Sequence, residues 1–334
     1  MSLRAAAKTL AVEALCRTRA DRLWSAPGTR APLVLGYHQV VEDLRDAPSS
    51  IPASVVTTAM LERQLDWVGL RYRFVSLDEL GRAIEGGSGA GRPPAAVTFD
   101  DGYRDVYAHA FPLLQRKGIP AAVFVVTDLV GTGRLLRHDR LHVLLSRTVA
   151  APSRPVAAMR DLLERGRSAE LDRWIEAREN AGRGVREPIR GLGLLDWDEV
   201  RALHRAGLTI GSHTASHALL TREAPDRLRW ELRASRERLA RELGAPVDHF
   251  AYPDGRFDRT VVAAVAEAGY RFAYGTCPHQ DSRRPALTVP RRLLWENSCR
   301  GADGSFSPRV MQGVVAGVFD LFGRCRQDHV QPGS

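Results

Sequence analysis

Short apolar runs alternate along this chain with longer stretches of helical periodicity, and that rhythm restricts the fold more than any other feature. Runs of four to eight apolar residues bounded by turn formers read as strands buried on both faces. Regular intervening helices then make the sheet mostly parallel. On this reading strands fall at 33–37, 74–76, 95–99, 121–126, 208–211, 249–252 and 272–275. Helices are expected over 58–70, with Leu61, Leu65 and Val68 on one side; over 103–117, ended by Gly118; and over 225–243, ended by Gly244. Asp258 is placed to cap a further helix that Gly269 ends. About seven such units in 334 residues, of which 44% are hydrophobic, suit one barrel-like α/β domain.

The rhythm breaks between about 131 and 193, where LHVLLSRTV, VAAMRDLLERG and AELDRWIEARENAG are helical in pattern and rich in arginine. A helical insertion over one end of the barrel is expected there, where substrate-facing additions usually sit. Residues 1–30 form an N-terminal extension. Leu3, Leu10 and Leu15 with Arg4, Lys8, Arg17, Arg19 and Arg22 make an amphipathic pattern that suits either packing on the domain or lying on an anionic membrane surface. After the domain at 31–300, residues 301–334 read as one more amphipathic helix and a tail.

A net charge of +9 favours an anionic neighbour, such as a phospholipid surface, a lipid-pyrophosphate carrier or an acidic glycan, although most of it is a solvated surface. No nucleic-acid partner is expected, because the arginines are scattered and no nucleic-acid-binding motif accompanies them. Cys16, Cys277, Cys299 and Cys325 show no CxxC pairing; free thiols are expected, with a Cys277–Cys299 bridge as the alternative. The N-terminus makes a poor secretory signal and no run is long enough to span a bilayer, so a cytoplasmic or peripheral membrane location is expected.

Two clusters carry chemistry. VTFDDGY ends a predicted strand in the adjacent carboxylates Asp100 and Asp101. Repulsion raises the proton affinity of one of such a pair unless a cation or hydrogen bonds offset it, so the pair is either solvated at a turn or holds a metal. TIGSHTASH carries His213 and His217, which share a face if the chain turns helically after the strand. Alone, HxxxH is weak. With the carboxylate pair it points to a divalent ion with open positions for water and substrate.

TFDDG, SHTASH and FAYPDG, in that order, resemble the polysaccharide deacetylases of the NodB-homology type (carbohydrate esterase family 4), over roughly 32–294. The resemblance implies a distorted (β/α)7-type barrel. Asp101, His213 and His217 would bind one divalent metal ion, zinc, and Asp100 would act as general base. Tyr252, Pro253 and Asp254 would form the loop that supplies a backbone N–H to the oxyanion and meets the substrate. Two positions depart from the common form. Ala251 stands where many members carry the arginine that orients the base, and Asp254 stands where many carry an aromatic. Arg291 is then the candidate for orienting the base, with an ordinary surface arginine as the alternative. A histidine in a C-terminal Leu-x-His motif is not evident. The opening LVLGYHQV instead resembles a circularly permuted branch with an N-terminal YHxV motif, which makes His38 the candidate acid.

The implied activity is metal-dependent removal of N-acetyl groups from an N-acetylated glycan or lipid-linked saccharide. A catalytically weak carbohydrate-binding or assembly protein on the same fold and a hydrolase of a non-sugar amide are the rivals. His109 and His204 are read as packing or surface residues, His249 as lying on the barrel interior without matching a family ligand, Trp67, Trp197 and Trp230 as core, and Trp295 as a stacking candidate.

Overall fold

The computed structural model describes residues 32–86, 91–148, 154–183, 189, 191–276 and 278–322. The N-terminal extension, Cys16, Cys277, Cys325 and the tail beyond 322 lie outside them.

Among the described residues ten strands run β1 (Leu33–Tyr37), β2 (Gln39–Val41), β3 (Val55–Thr57), β4 (Arg73–Phe74), β5 (Pro94–Phe99), β6 (Ala121–Val125), β7 (Thr209–Ser212), β8 (His249–Ala251), β9 (Phe272–Tyr274) and β10 (Arg292–Leu293). One curled parallel sheet has the order β10-β1-β5-β6-β7-β8-β9, with β4 added against β5, and β2 pairs β3 separately. The sequence anticipates β1 and β4 to β9 but not β2, β3 or β10, short segments that show no usable periodicity. Segment 289–293 draws the edges of the curl together. Val289 bridges Tyr274 of β9, and Arg292 and Leu293 pair with Leu35 and Gly36 of β1. Gly36 makes that approach possible, since a Cβ there would stand 2.5 Å from Leu293 Cδ2.

The helices form where capping and periodicity direct them. α1 (Thr58–Gly69) starts at Thr57, whose hydroxyl accepts from the Met60 N–H, a cap worth about 1 kcal/mol. It buries Leu61, Leu65 and Val68 against the sheet. α2 (Leu77–Gly86) follows β4. The single helix expected over 103–117 is instead a π-turn, Val106–Ala110, followed by α3 (Phe111–Lys117). Pro112 explains the difference: it offers no N–H to the preceding turn, and Phe111 N–H reaches back to Val106. The insertion supplies α4 (Arg137–Thr148), α5 (Arg154–Arg165) and α6 (Ser168–Arg178). α7 (Trp197–Arg205), α8 (Pro225–Leu243), α9 (Arg259–Glu267) and α10 (Pro308–Val315) complete the set, with Asp258 capping α9 through Val261 N–H. No helix among the described residues is long and apolar enough to cross a membrane. Cys299 is a buried free thiol, 3.2 Å from Met311 Sδ; the alternative of a bridge to Cys277 concerns a position outside the described residues.

Candidate active site

In a parallel sheet every strand ends on the same side, and residues just past those ends converge. His38 follows β1, Asp100 and Asp101 follow β5, and His213 follows β7. Asp254 follows β8, Thr276 follows β9 and Trp295 follows β10. All of them line one cavity of about 320 Å³.

The backbone is strained at this place. Among the described residues, the non-glycine residues with positive φ are Asp101 (73°), Thr214 (67°), His217 (58°) and Asp254 (56°). Each costs about 1–3 kcal/mol and persists where surrounding contacts over-determine it. These contacts are present: His213 N–H donates to Val125, Thr127 N–H to Thr214 and Asp128 N–H to Ala215. The buried Glu231 accepts from both Ser216 N–H and Ser216 Oγ. The expected helical turn through HxxxH is therefore absent. A strained loop, rather than i,i+4 stacking, brings the two rings to 4.9 Å between centroids.

Asp101, His213 and His217 each offer an atom within 4.8 Å of the others. Asp101 Oδ1 lies 3.5 Å from His213 Nε2 and 3.2 Å from His217 Nε2. It is buried and receives no hydrogen bond. His213 Nδ1 is 2.8 Å from the Ala251 carbonyl, so it carries the proton and Nε2 presents a lone pair. A buried orphaned carboxylate oxygen facing imidazole lone pairs fits a divalent cation of the zinc type. Burial alone would raise the Asp101 carboxyl, but His217 and the charge of His138 outweigh it and hold it well below the usual range. Burial pushes His213 down to about 4, so it stays neutral and able to ligate.

Asp100 has a different environment. Its N–H donates to the Tyr37 carbonyl, and Arg291 grips its carboxylate with two bonds, Nη1 to Oδ1 at 2.7 Å and Nη2 to Oδ2 at 2.6 Å. Arg291 is held in turn by the Gly275 carbonyl and Thr98 Oγ1, and both members are almost wholly buried. Burial would raise Asp100, and Arg291 followed by His213 keeps it below its ordinary value. Arg291 is thus a buried partner of Asp100, not a surface arginine. It arrives from β10 rather than from position 251.

The FAYPDG loop divides. Asp254 and Gly255 line the cavity, and Arg256 bonds the Asp254 carboxylate at 3.0 Å. Tyr252 turns into the core: its hydroxyl donates to Leu287, its N–H to Tyr274, and its ring packs on Phe250 and Phe257. Pro253 is buried and has no N–H. Of the three positions expected to meet substrate, only Asp254 keeps a place at the cavity surface. His38 lines the cavity together with both aspartates.

Sequence reasoning missed His138, at the start of α4. Its Nε2 lies 3.7 Å from Asp101 Oδ2 and 3.1 Å from the Tyr103 hydroxyl, which donates to Asp139 at 2.8 Å. The only signal was the pair His138-Asp139 opening an inserted helix. His249 is a core residue between Tyr274 and Asp78, and Trp67 is buried. Trp230 is not core: it is 43% exposed beneath the Arg227 guanidinium.

Residues 88–273 match the profile of the family described as polysaccharide deacetylase, more than half of the chain. The chain belongs to the polysaccharide deacetylase family. The Bacillus subtilis protein YxkH, assigned to the same family, is 20% identical over 59% of this chain, and the match spans half of YxkH. Among solved structures, the Streptococcus pyogenes deacetylase PplD in complex with acetate has a TM-score of 0.55 at 19% identity, covering 81% of this chain and 95% of that one. IcaB from Ammonifex degensii has a TM-score of 0.54 at 23% identity, with 80% and 93% covered. These likenesses show a shared fold, which is the one expected from the sequence.

Proposed function

We propose that this polysaccharide deacetylase family member hydrolyses N-acetyl groups on amino-sugar residues of a glycan or lipid-linked saccharide with one divalent ion, zinc, held by Asp101, His213 and His217. The observation that carries the reading is the division of labour between adjacent carboxylates. Asp101 keeps an unbonded oxygen aimed at two histidine nitrogens, while Asp100 is fixed by Arg291.

Held by Asp101, His213 and His217, a divalent ion would supply Lewis acidity toward the amide carbonyl and would lower the pKa of an attacking water. Asp100 accepts that water's proton as the C–O bond forms, and the bidentate Arg291 holds its carboxylate in one orientation. The backbone donor for the developing oxyanion is assigned to the Asp254 N–H from the likeness of FAYPDG to the family's loop, and Asp254 lines the cavity. As the C–N bond breaks, His38 protonates the departing amine. This assignment rests on its place past β1 and its likeness to the permuted branch.

Asp100→Asn provides the test. Metal content measured after purification without added metal should equal that of the unaltered protein, while acetate release falls by about 10²-fold or more. Near-normal turnover in this variant would remove Asp100 from the role of base.

A further inference from the structure

The deacetylation chemistry uses the floor of the cavity but does not account for its upper wall. Helix α5 of the insertion lays Val156, Met159 and Leu163 along that wall, and Trp295 and Leu219 face the same space. An amino-sugar ring can lay its C–H face on Trp295, but its hydroxyl groups gain nothing from the aliphatic side chains of α5. A hydrocarbon does, by about 0.8 kcal/mol for each methylene removed from water.

At the rim stands Arg160, exposed and, among the described residues, without an ion-pair partner. Its neighbours in the chain, Asp161 and Glu164, pair with Arg165 and Arg256, Asp254 pairs with Arg256, and of the cavity's buried carboxylates Asp100 pairs with Arg291 while Asp101 faces the histidines. The rim therefore carries an uncompensated positive charge beside an apolar surface. The helix is anchored by its neighbours. Arg256 ties Glu164 to the FAYPDG loop, and Arg137 of α4 bonds both Asp172 of α6 and the His217 carbonyl. At about 320 Å³ the space is near the lower end of small-molecule pockets, enough for one sugar ring and the first part of a chain.

We infer, on the basis of the deacetylase reading, that the preferred substrate is a single terminal N-acetylated amino sugar joined through a phosphate to a hydrocarbon chain. The sugar occupies the floor, the phosphate meets Arg160, and the chain lies along Val156, Met159 and Leu163.

Three probes separate the contributions: N-acetylglucosamine linked through phosphate to alkyl chains of four to ten carbons, the uncharged alkyl glycosides of the same lengths, and a chitin tetramer. In both alkyl series kcat/KM should rise by up to about fourfold per methylene until the wall is filled, then level off. The phosphate series should exceed the neutral one. R160E should reduce the ratio of phosphate-linked to neutral turnover about tenfold. V156T, which keeps the side-chain volume, should flatten the dependence on chain length without disturbing α5, and L163D should flatten it further. Acetate release favouring the tetramer, or independent of chain length, overturns the inference and leaves the deacetylase reading intact. A phosphate preference unchanged by R160E overturns the assignment of the linker. Release from none of the probes overturns the deacetylase reading and the inference together.

Discussion

Strand ends hold the floor of the cavity and a three-helix insertion holds its roof, and charge is handled differently in each. On the floor, Arg291 and Asp100 are paired at 0% and 3% side-chain exposure, with Nε, Nη1 and Nη2 of Arg291 all bonded. In the roof, the ion pairs are wetter: Arg256–Glu164 is exposed to 17% and 42%, and Arg137–Asp172 to 7% and 33%. A buried pair is costly to break because the survivor is left charged in a poor solvent, whereas a hydrated pair is worth about 0–1 kcal/mol. The floor is therefore built for one geometry. The roof is built from contacts that can be exchanged at little cost, which suits a part that selects the substrate.

The largest effect that tests this contrast comes from Arg291→Met set against Arg256→Met. The first should lower unfolding free energy by about 3–5 kcal/mol in denaturant titration and abolish turnover, because Asp100 loses both its counter-charge and its orientation. The second should cost about 0–1 kcal/mol. Similar losses from the two substitutions would show that floor and roof do not differ in this way.

The same contrast decides what the sequence discloses. Asp100, Asp101, His213 and His217 were legible because strand-end chemistry is written in short contiguous motifs whose spacing the barrel fixes. The fold was legible because seven buried runs alternate with helices. Arg291 was reachable only as a substitute for the residue that Ala251 lacks, since β10 is two residues long and the pairing spans 191 positions of chain. His138 was not legible at all. It reaches Asp101 because the inserted helices fold over the barrel; the insertion was expected, but beyond the His138-Asp139 pair no local pattern says which of its residues meets the floor. The turn at His213 to His217 was misjudged for the opposite reason: i,i+4 spacing suggests a helix, but positive φ at Thr214 and His217 brings the rings together without one.

A smaller effect asks which of the two regions donates the proton. His38 belongs to the floor and His138 to the roof, and both line the cavity. His38→Ala should retain metal and lose about 10²-fold in turnover of an acetamide, while an activated acetate ester, whose leaving group needs little protonation, loses much less. His138→Ala should reduce amide and ester together or not at all. The selective loss appearing with His138→Ala instead would transfer the acid to the roof.

The smallest effect concerns Asp105, which follows the DDGY turn and is sensitive to the Asp139 charge in the roof. Both of its carboxylate oxygens are buried without a hydrogen-bond partner. Burial is the main reason its carboxyl sits well above the ordinary value, with backbone contacts to Val40 and Val106 opposing and Asp139 adding to the rise. A carboxyl raised in the folded state binds its proton more tightly there than in the unfolded chain. Its stabilising contribution is complete below the unfolded value near 4 and is lost as pH climbs through the raised folded value. Asp105→Asn stays uncharged throughout, so its melting temperature should decline less between pH 5 and 9 than that of the unaltered protein. The two curves should separate by about 2 °C at the alkaline end. Parallel curves would mean that Asp105 ionises in the folded protein much as it does in water, and that the Asp139 charge does not reach it.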